Sequence, residues 1–207
     1  MTGYLLTGIS LGFYAAMSPG PFQAFLLAQS LKSGWRRTLP AALAPLFTDG
    51  PIIALVLLLL TQTPHWFLSA LRITGGFFIV YLATGAFDTF RKGDFSLDAR
   101  PEAAERSMLK AIMMNALNPN PYIFWSVIAG PILLEGWRQV PQLGVSFLIG
   151  FYGAMVGGLA GLIILFATAR QLGPKVTKAL SGVSAAALLV FGIYQIWEGG
   201  ASLGFRG

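Results

Sequence analysis

Two proline pairs, Pro19-Gly20-Pro21 and Pro119-Asn120-Pro121, lie a hundred residues apart, each inside an apolar run long enough to cross a bilayer. Proline has no amide N–H, and its ring clashes with the preceding turn, so two prolines two residues apart interrupt a helix locally. In lipid, an interrupted backbone survives only where it is buried in protein or lines a wet cavity. Breaks at corresponding positions of two halves point to the binding site of a transporter. The motifs are Ser18-Pro19-Gly20-Pro21 and Asn118-Pro119-Asn120-Pro121, and the spacing predicts that they face each other.

The apolar runs are supported by composition. The 207 residues are 55% hydrophobic and 11% charged, with a mean hydropathy of +0.68. Soluble domains carry roughly 25% charged residues, so this chain cannot cover a water-facing surface. Cysteine is absent, which removes disulfides, thiolate metal sites and cysteine nucleophiles together. The first apolar run lacks a basic leader and an Ala-x-Ala cleavage pattern, and is expected to be retained as a helix.

Six segments of about 20 residues or more can span a bilayer. They cover about 3–29 (broken at 18–21), 39–60, 68–90, 108–134 (broken at 118–121), 141–169 and 175–197. The fold expected is an all-α polytopic membrane protein with six transmembrane helices, the first and fourth broken at their Pro motifs. A first three-helix repeat occupies 1–90, a polar cytoplasmic linker 91–107 and a second three-helix repeat 108–207. The linker reads as a solvated connector of mixed charge.

Lys32, Arg36 and Arg37 follow the first span. Arg91, Lys92, Arg100, Arg106 and Lys110 follow the third, and Arg170, Lys175 and Lys178 follow the fifth. Only Arg72, Arg138 and Arg206 fall in the alternate set. The net charge of +6 therefore reads as topology, not as a nucleic-acid surface. The positive-inside rule puts the three basic loops in the cytoplasm and both termini outside. Three spans per half make any repeats inverted. The proline pairs align at an offset of 100, and Gly75 and Gly85 match Gly182 and Gly192 at 107.

Asp49 is the one acidic residue near the middle of an apolar run. A carboxylate there costs a few kcal/mol and persists by facing the protein interior, by being protonated, or by holding a cation. Asp49 thus reads as a proton-coupling residue or an anchor for a substrate ammonium. The structural alternative is an Asp that caps a helix break made by Gly50-Pro51. At the Pro motifs, N–H ends attract carboxylates and C=O ends attract cations, which suits a zwitterion. The substrate-binding set is Ser18, Pro19, Gly20, Pro21, Gln23, Asn115, Asn118, Pro119 and Asn120. Gln23 and Asn115 either line the cavity or satisfy backbone groups freed by the breaks.

Gly153, Gly157 and Gly161 form overlapping small-xxx-small patterns, read as a packing face or a homodimer seam. His65 beside Trp66 reads as an interface residue, and Trp35, Trp137 and Trp197 as aromatic-belt anchors. No Walker loop, Rossmann glycine pattern or nucleophile constellation is present. That excludes an ATP-driven pump in one chain and argues against an enzyme, a cofactor or a resident metal.

The chain resembles the LysE/RhtB (lysine and homoserine/threonine exporter) family of bacterial amino-acid exporters. The resemblance is carried by Gly12 through Pro21 (GFYAAMSPGP), Gln29 through Gly34 (QSLKSG), Asp49-Gly50, Arg72 through Gly76 (RITGG), Tyr81-Leu82, Gly85, and Asn115 through Pro119 (NALNP). It implies a six-helix exporter of the bacterial inner membrane, driven by the proton gradient and built as inverted repeats. Its functional positions would be Pro19-Gly20-Pro21, Asp49 and Asn118-Pro119. Amino acids or similar small molecules, protons and membrane lipids are the implied partners. Two other readings are export of a divalent cation and a non-transporting membrane scaffold subunit. The first would need several carboxylates or histidines at depth, and the second would use the linker.

Overall fold

The break at the first proline motif sets the path of the chain. In a computed structural model, which describes residues 1–59, 65–92 and 103–204, α1 (Thr2–Met17) stops at Ser18 and α2 (Pro21–Ser33) restarts from an extended Gly20. A positive-φ glycine, Gly34, turns the chain into α3 (Trp35–Thr38). A 3-10 stretch, Leu39–Leu43, then leads to α4 (Ala44–Ala54) and a π-helical turn, Leu55–Leu59. Next comes α5 (His65–Lys92), uninterrupted over 28 residues.

The second proline motif acts in the same way. Helix α6 (Ala104–Ala116) ends just before an extended Asn118, and α7 (Pro119–Phe124) starts there. A π-helical turn, Trp125–Ala129, joins α7 to α8 (Gly130–Gln139). Its cause is local: Pro131 has no N–H to continue the regular ladder, and the Gly130 N–H reaches back to the Trp125 carbonyl instead. Helix α9 (Pro141–Ala169), a short 3-10 turn (Arg170–Leu172), positive-φ Gly173 and α10 (Pro174–Gly204) complete the chain.

The described residues are almost wholly helical. Four helical stretches are long and apolar enough to cross a membrane: Trp35–Leu57, Trp66–Asp88, Pro141–Ala169 and Pro174–Ser202. The segments holding the proline motifs are missing from this set because each is divided. Bulky apolar side chains face outward in numbers that water would not tolerate, among them Phe77 at 62% and Val190 at 66% exposure. The polar linker lies largely outside the described residues, and its expected role is not addressed by them.

Glycines set the two tightest helix pairs. On α1, a Cβ at Gly8 or Gly12 would collide with the backbone of Phe147 or Phe151 on α9, and one at Gly150 with the Leu5 carbonyl. On α5, a Cβ at Gly76 would come within 2.8 Å of the Gly192 carbonyl of α10, and one at Gly192 within 3.0 Å of the Gly76 carbonyl. Close backbone approach of this kind is how membrane helices gain packing without a hydrophobic drive between them. The seam of α5 and α10 ends in a Ser69–Ser202 hydroxyl pair, 2.7 Å apart, and an Arg72–Glu198 ion pair at 3.2 Å.

Candidate functional site

Both breaks open onto one space. A cavity of about 370 Å³ is lined by Ser18, Pro19, Gly20, Pro21 and Gln23 from the first break, Asn118 and Asn120 from the second, and Asp49 and Asn115 from α4 and α6. Every substrate-binding position inferred from sequence is in its wall except Pro119, which is buried beside it. The remaining wall is largely apolar, with Phe124 and Trp125 after the second break and Phe151, Met155 and Leu159 from α9.

A side chain caps one freed carbonyl at each break, that of Ala16 at the first and that of Ala116 at the second. Pro19 and Pro21 cannot supply the N–H groups that Ala15 and Met17 would normally receive. Gln23, one turn into α2, donates back to the Ala16 carbonyl at 3.0 Å and more weakly to Ala15 at 3.5 Å. Across the cavity, the Tyr122 hydroxyl donates to the Ala116 carbonyl at 2.9 Å, and the Asn118 N–H reaches the Asn115 carbonyl at 3.2 Å. The Leu117 carbonyl lies so close to Gly75 that any side chain there would collide with it. Gln23 thus does both things its position allowed, lining the cavity and satisfying the backbone.

The freed N–H groups are unequal, which the two similar motifs do not reveal. In the first turn of α2, Pro21 has none and the Ala24 N–H bonds the Gly20 carbonyl at 3.1 Å. Phe22 and Gln23, both in the cavity wall, have N–H groups at an uncapped helix start. In α7, Pro119 and Pro121 have no N–H, and that of Asn120 is taken by the Asn118 side chain at 3.1 Å. The first three positions of α7 therefore offer no free donor. An anion entering this cavity finds its helix-end donors at α2 alone.

Asp49 is 3% exposed and hydrogen-bonded by neutral side chains. The Asn115 amide donates to its Oδ1 at 3.2 Å and to the Thr48 hydroxyl at 2.6 Å. The Tyr152 hydroxyl donates to Oδ2 at 3.4 Å, and the Trp125 side chain is also within hydrogen-bonding reach. Thr48 spends its own proton on the Ala44 carbonyl, at 3.2 Å. The expected structural alternative, an Asp capping a break at Gly50-Pro51, is corrected here. Helix α4 runs through Pro51 without stopping, and the carboxylate is met by side chains from α6, α9 and the π turn.

Around that carboxylate the aromatic rings interlock. Phe124 stacks on Phe151 at 5.7 Å between centroids, Trp125 meets Phe151 edge-on at 5.3 Å, and Phe151 meets Tyr152 at 5.1 Å. The result is a neutral, polarised wall around a single acid.

The model of the LysE type translocator family matches residues 13–199. The chain belongs to that family. A protein of Bacillus subtilis (strain 168) described as "Putative amino acid efflux protein YcgF" is 27% identical to it over 204 residues, covering 94% of this chain and 95% of the relative. No solved structure matches. With its family and its long apolar helices, this LysE type translocator is a multi-pass membrane protein of a transport family.

Sequence reasoning missed two members of the site of this translocator, Trp125 and Tyr152. One signal for Trp125 was available: unlike Trp35, Trp137 and Trp197 it sits mid-segment, where its indole N–H needs a partner. Tyr152 gave no signal, since a tyrosine in a long apolar helix is ordinary. His65 begins α5, and Trp35, Trp137 and Trp197 are 43–68% exposed near segment ends.

Proposed function

We propose that this chain exports amino acids or related small zwitterionic metabolites from the cytoplasm by alternating access, coupled to proton entry at Asp49. One observation carries the reading: two interrupted helices and the one acid at depth share a single cavity of amino-acid size. The substrate carboxylate lies against the uncapped start of α2, and the ammonium lies toward Asp49. A proton arriving from outside neutralises Asp49, displaces the ammonium and favours return of the empty carrier. The family match and the efflux description of the Bacillus relative support the same substrate class.

In this reading the chain crosses the bacterial inner membrane six times, through four continuous helices and the two interrupted segments, with both termini outside. The close packing of α5 against α10, the third helix of each half, suits a pseudo-twofold axis between inverted repeats. The open stripe of Gly153, Gly157 and Gly161 on α9 suits a second copy. Among the described residues no group of three or more His, Asp or Glu side chains gathers, so a divalent-cation exporter gains no supporting observation.

The test is amino-acid transport by purified protein in proteoliposomes under an imposed pH gradient. Asp49→Asn is expected to abolish gradient-driven accumulation while substrate exchange without a gradient persists at a reduced rate. Gradient-driven transport at the wild-type rate in Asp49→Asn would remove Asp49 from coupling.

A further inference from the structure

We infer that the cavity selects amino acids with an uncharged, bulky apolar or aromatic side chain, in the range from leucine to phenylalanine, over dibasic and acidic ones. The inference rests on the exporter reading above and adds to it the class of side chain. Its first support is charge. Asp49 is the sole ionisable acid in the cavity wall as described, and no Lys, Arg or His is in that wall. One carboxylate balances one ammonium. The α-ammonium common to all amino acids uses it up, and a second cationic group such as the lysine side chain meets no further acid. A side-chain carboxylate meets no cation. Either way an unpaired charge is desolvated, which is strongly unfavourable.

The second support is the surface that the side chain meets. Helix α9 presents Phe151, Met155 and Leu159, four residues apart, on one face toward the cavity. Phe124 stacks on Phe151, and Trp125, 1% exposed, closes the corner beside Asp49. A ring or a branched aliphatic chain is removed from water against this wall, which favours its binding. Size is the third. At about 370 Å³ the cavity is near the small end of the roughly 300–1,000 Å³ typical of ligand sites. It holds one free amino acid with a large side chain and leaves glycine or alanine without contact to the apolar wall.

The experiment is homologous counterflow in proteoliposomes, in which each labelled amino acid is exchanged against the same unlabelled one. Leucine and phenylalanine are expected to exchange faster than lysine and glutamate by roughly tenfold or more, the scale that mismatched groups produce in such pockets. Lysine or glutamate exchanging as fast as leucine overturns the selectivity and leaves the exporter reading standing. Exchange of no amino acid by protein that unfolds cooperatively removes both. Ile123→Asp, which adds a second acid to the wall, is expected to raise lysine exchange relative to leucine, and an unchanged ratio in folded variant overturns the charge argument. If that variant does not fold, Phe124→Ala serves instead. It should lower phenylalanine exchange relative to alanine, and an unchanged ratio overturns the role given to the aromatic wall.

Discussion

Gln23 shows how one side chain lets a helix stop inside a membrane. The proline motif ends the N–H supply to the last carbonyls of α1, and the Gln23 amide donates from the other side of the break to the Ala16 carbonyl and, more weakly, to that of Ala15. A buried carbonyl that loses its donor costs about 1–3 kcal/mol. Gln23→Leu keeps much of the side-chain volume and removes the donors, so it is expected to destabilise the protein by that amount, read by denaturant titration in detergent. Substrate exchange should fall as well, because the same residue lines the cavity. Loss of exchange at unchanged stability would mean that Gln23 acts on the substrate and not on the break. At Asp49 the comparable arrangement has two donors: Asn115 and Tyr152 donate to the two carboxylate oxygens, and neither can itself supply a charge to neutralise the acid. The carboxylate is held in place yet left available to a cationic partner, which is what an ammonium or a proton requires.

Among the elements, two turns repeat one device. Gly34 (φ 75°) and Gly173 (φ 104°) are the two positive-φ residues among those described, and each precedes a helix whose Thr, four residues on, bonds back to the glycine carbonyl. The distances are 2.9 Å for Thr38 to Gly34 and 3.0 Å for Thr177 to Gly173. With ψ near 168° both glycines occupy a region open to glycine almost alone. Gly34→Ala and Gly173→Ala are each expected to cost about 1–3 kcal/mol of stability in a denaturant titration, whereas Gly153→Ala, in open space on α9, should cost little. Chain order explains what could be read at this scale. The proline motifs, Asp49 and the amides near the breaks announce themselves, because each violates the rules of an apolar helix. The π turn after α7 does not, since Pro131 acts on a turn that ends before it. The unequal N–H supply of α2 and α7 depends on whether a side chain caps the break, and Gly20 and Asn118 differ there. Tyr152 and Trp125 reach Asp49 from other segments of the chain, 103 residues away in the case of Tyr152, and only the mid-segment position of Trp125 is a local mark.

For the molecule as a whole, the cavity and one of the two close helix seams use different helices. The cavity is walled by α1, α2, α4, α6, α7, α9 and the π turn after α7, whereas α5 and α10 lie along each other through Gly76, Gly192 and Gly199 and contribute nothing to it. The two systems meet along α2 and α10, and again where Gly75 abuts the Leu117 carbonyl at the end of α6. Alternating access then predicts a fixed α5–α10 pair against which the broken helices move. The chain has no cysteine, so introduced pairs report cleanly. The Ser69 and Ser202 hydroxyls are 2.7 Å apart, so cysteine sulfurs at those positions would lie close enough to test for a disulfide. Ser69→Cys with Ser202→Cys is expected to crosslink under oxidation and to retain substrate exchange. Gly20→Cys with Asn120→Cys, joined across the cavity by a short bifunctional thiol reagent, is expected to stop it, and reduction of a cleavable linker to restore it. If locking α5 to α10 stops exchange while bridging the breaks does not, the moving parts have been assigned the wrong way round, and the seam rather than the breaks gates the substrate.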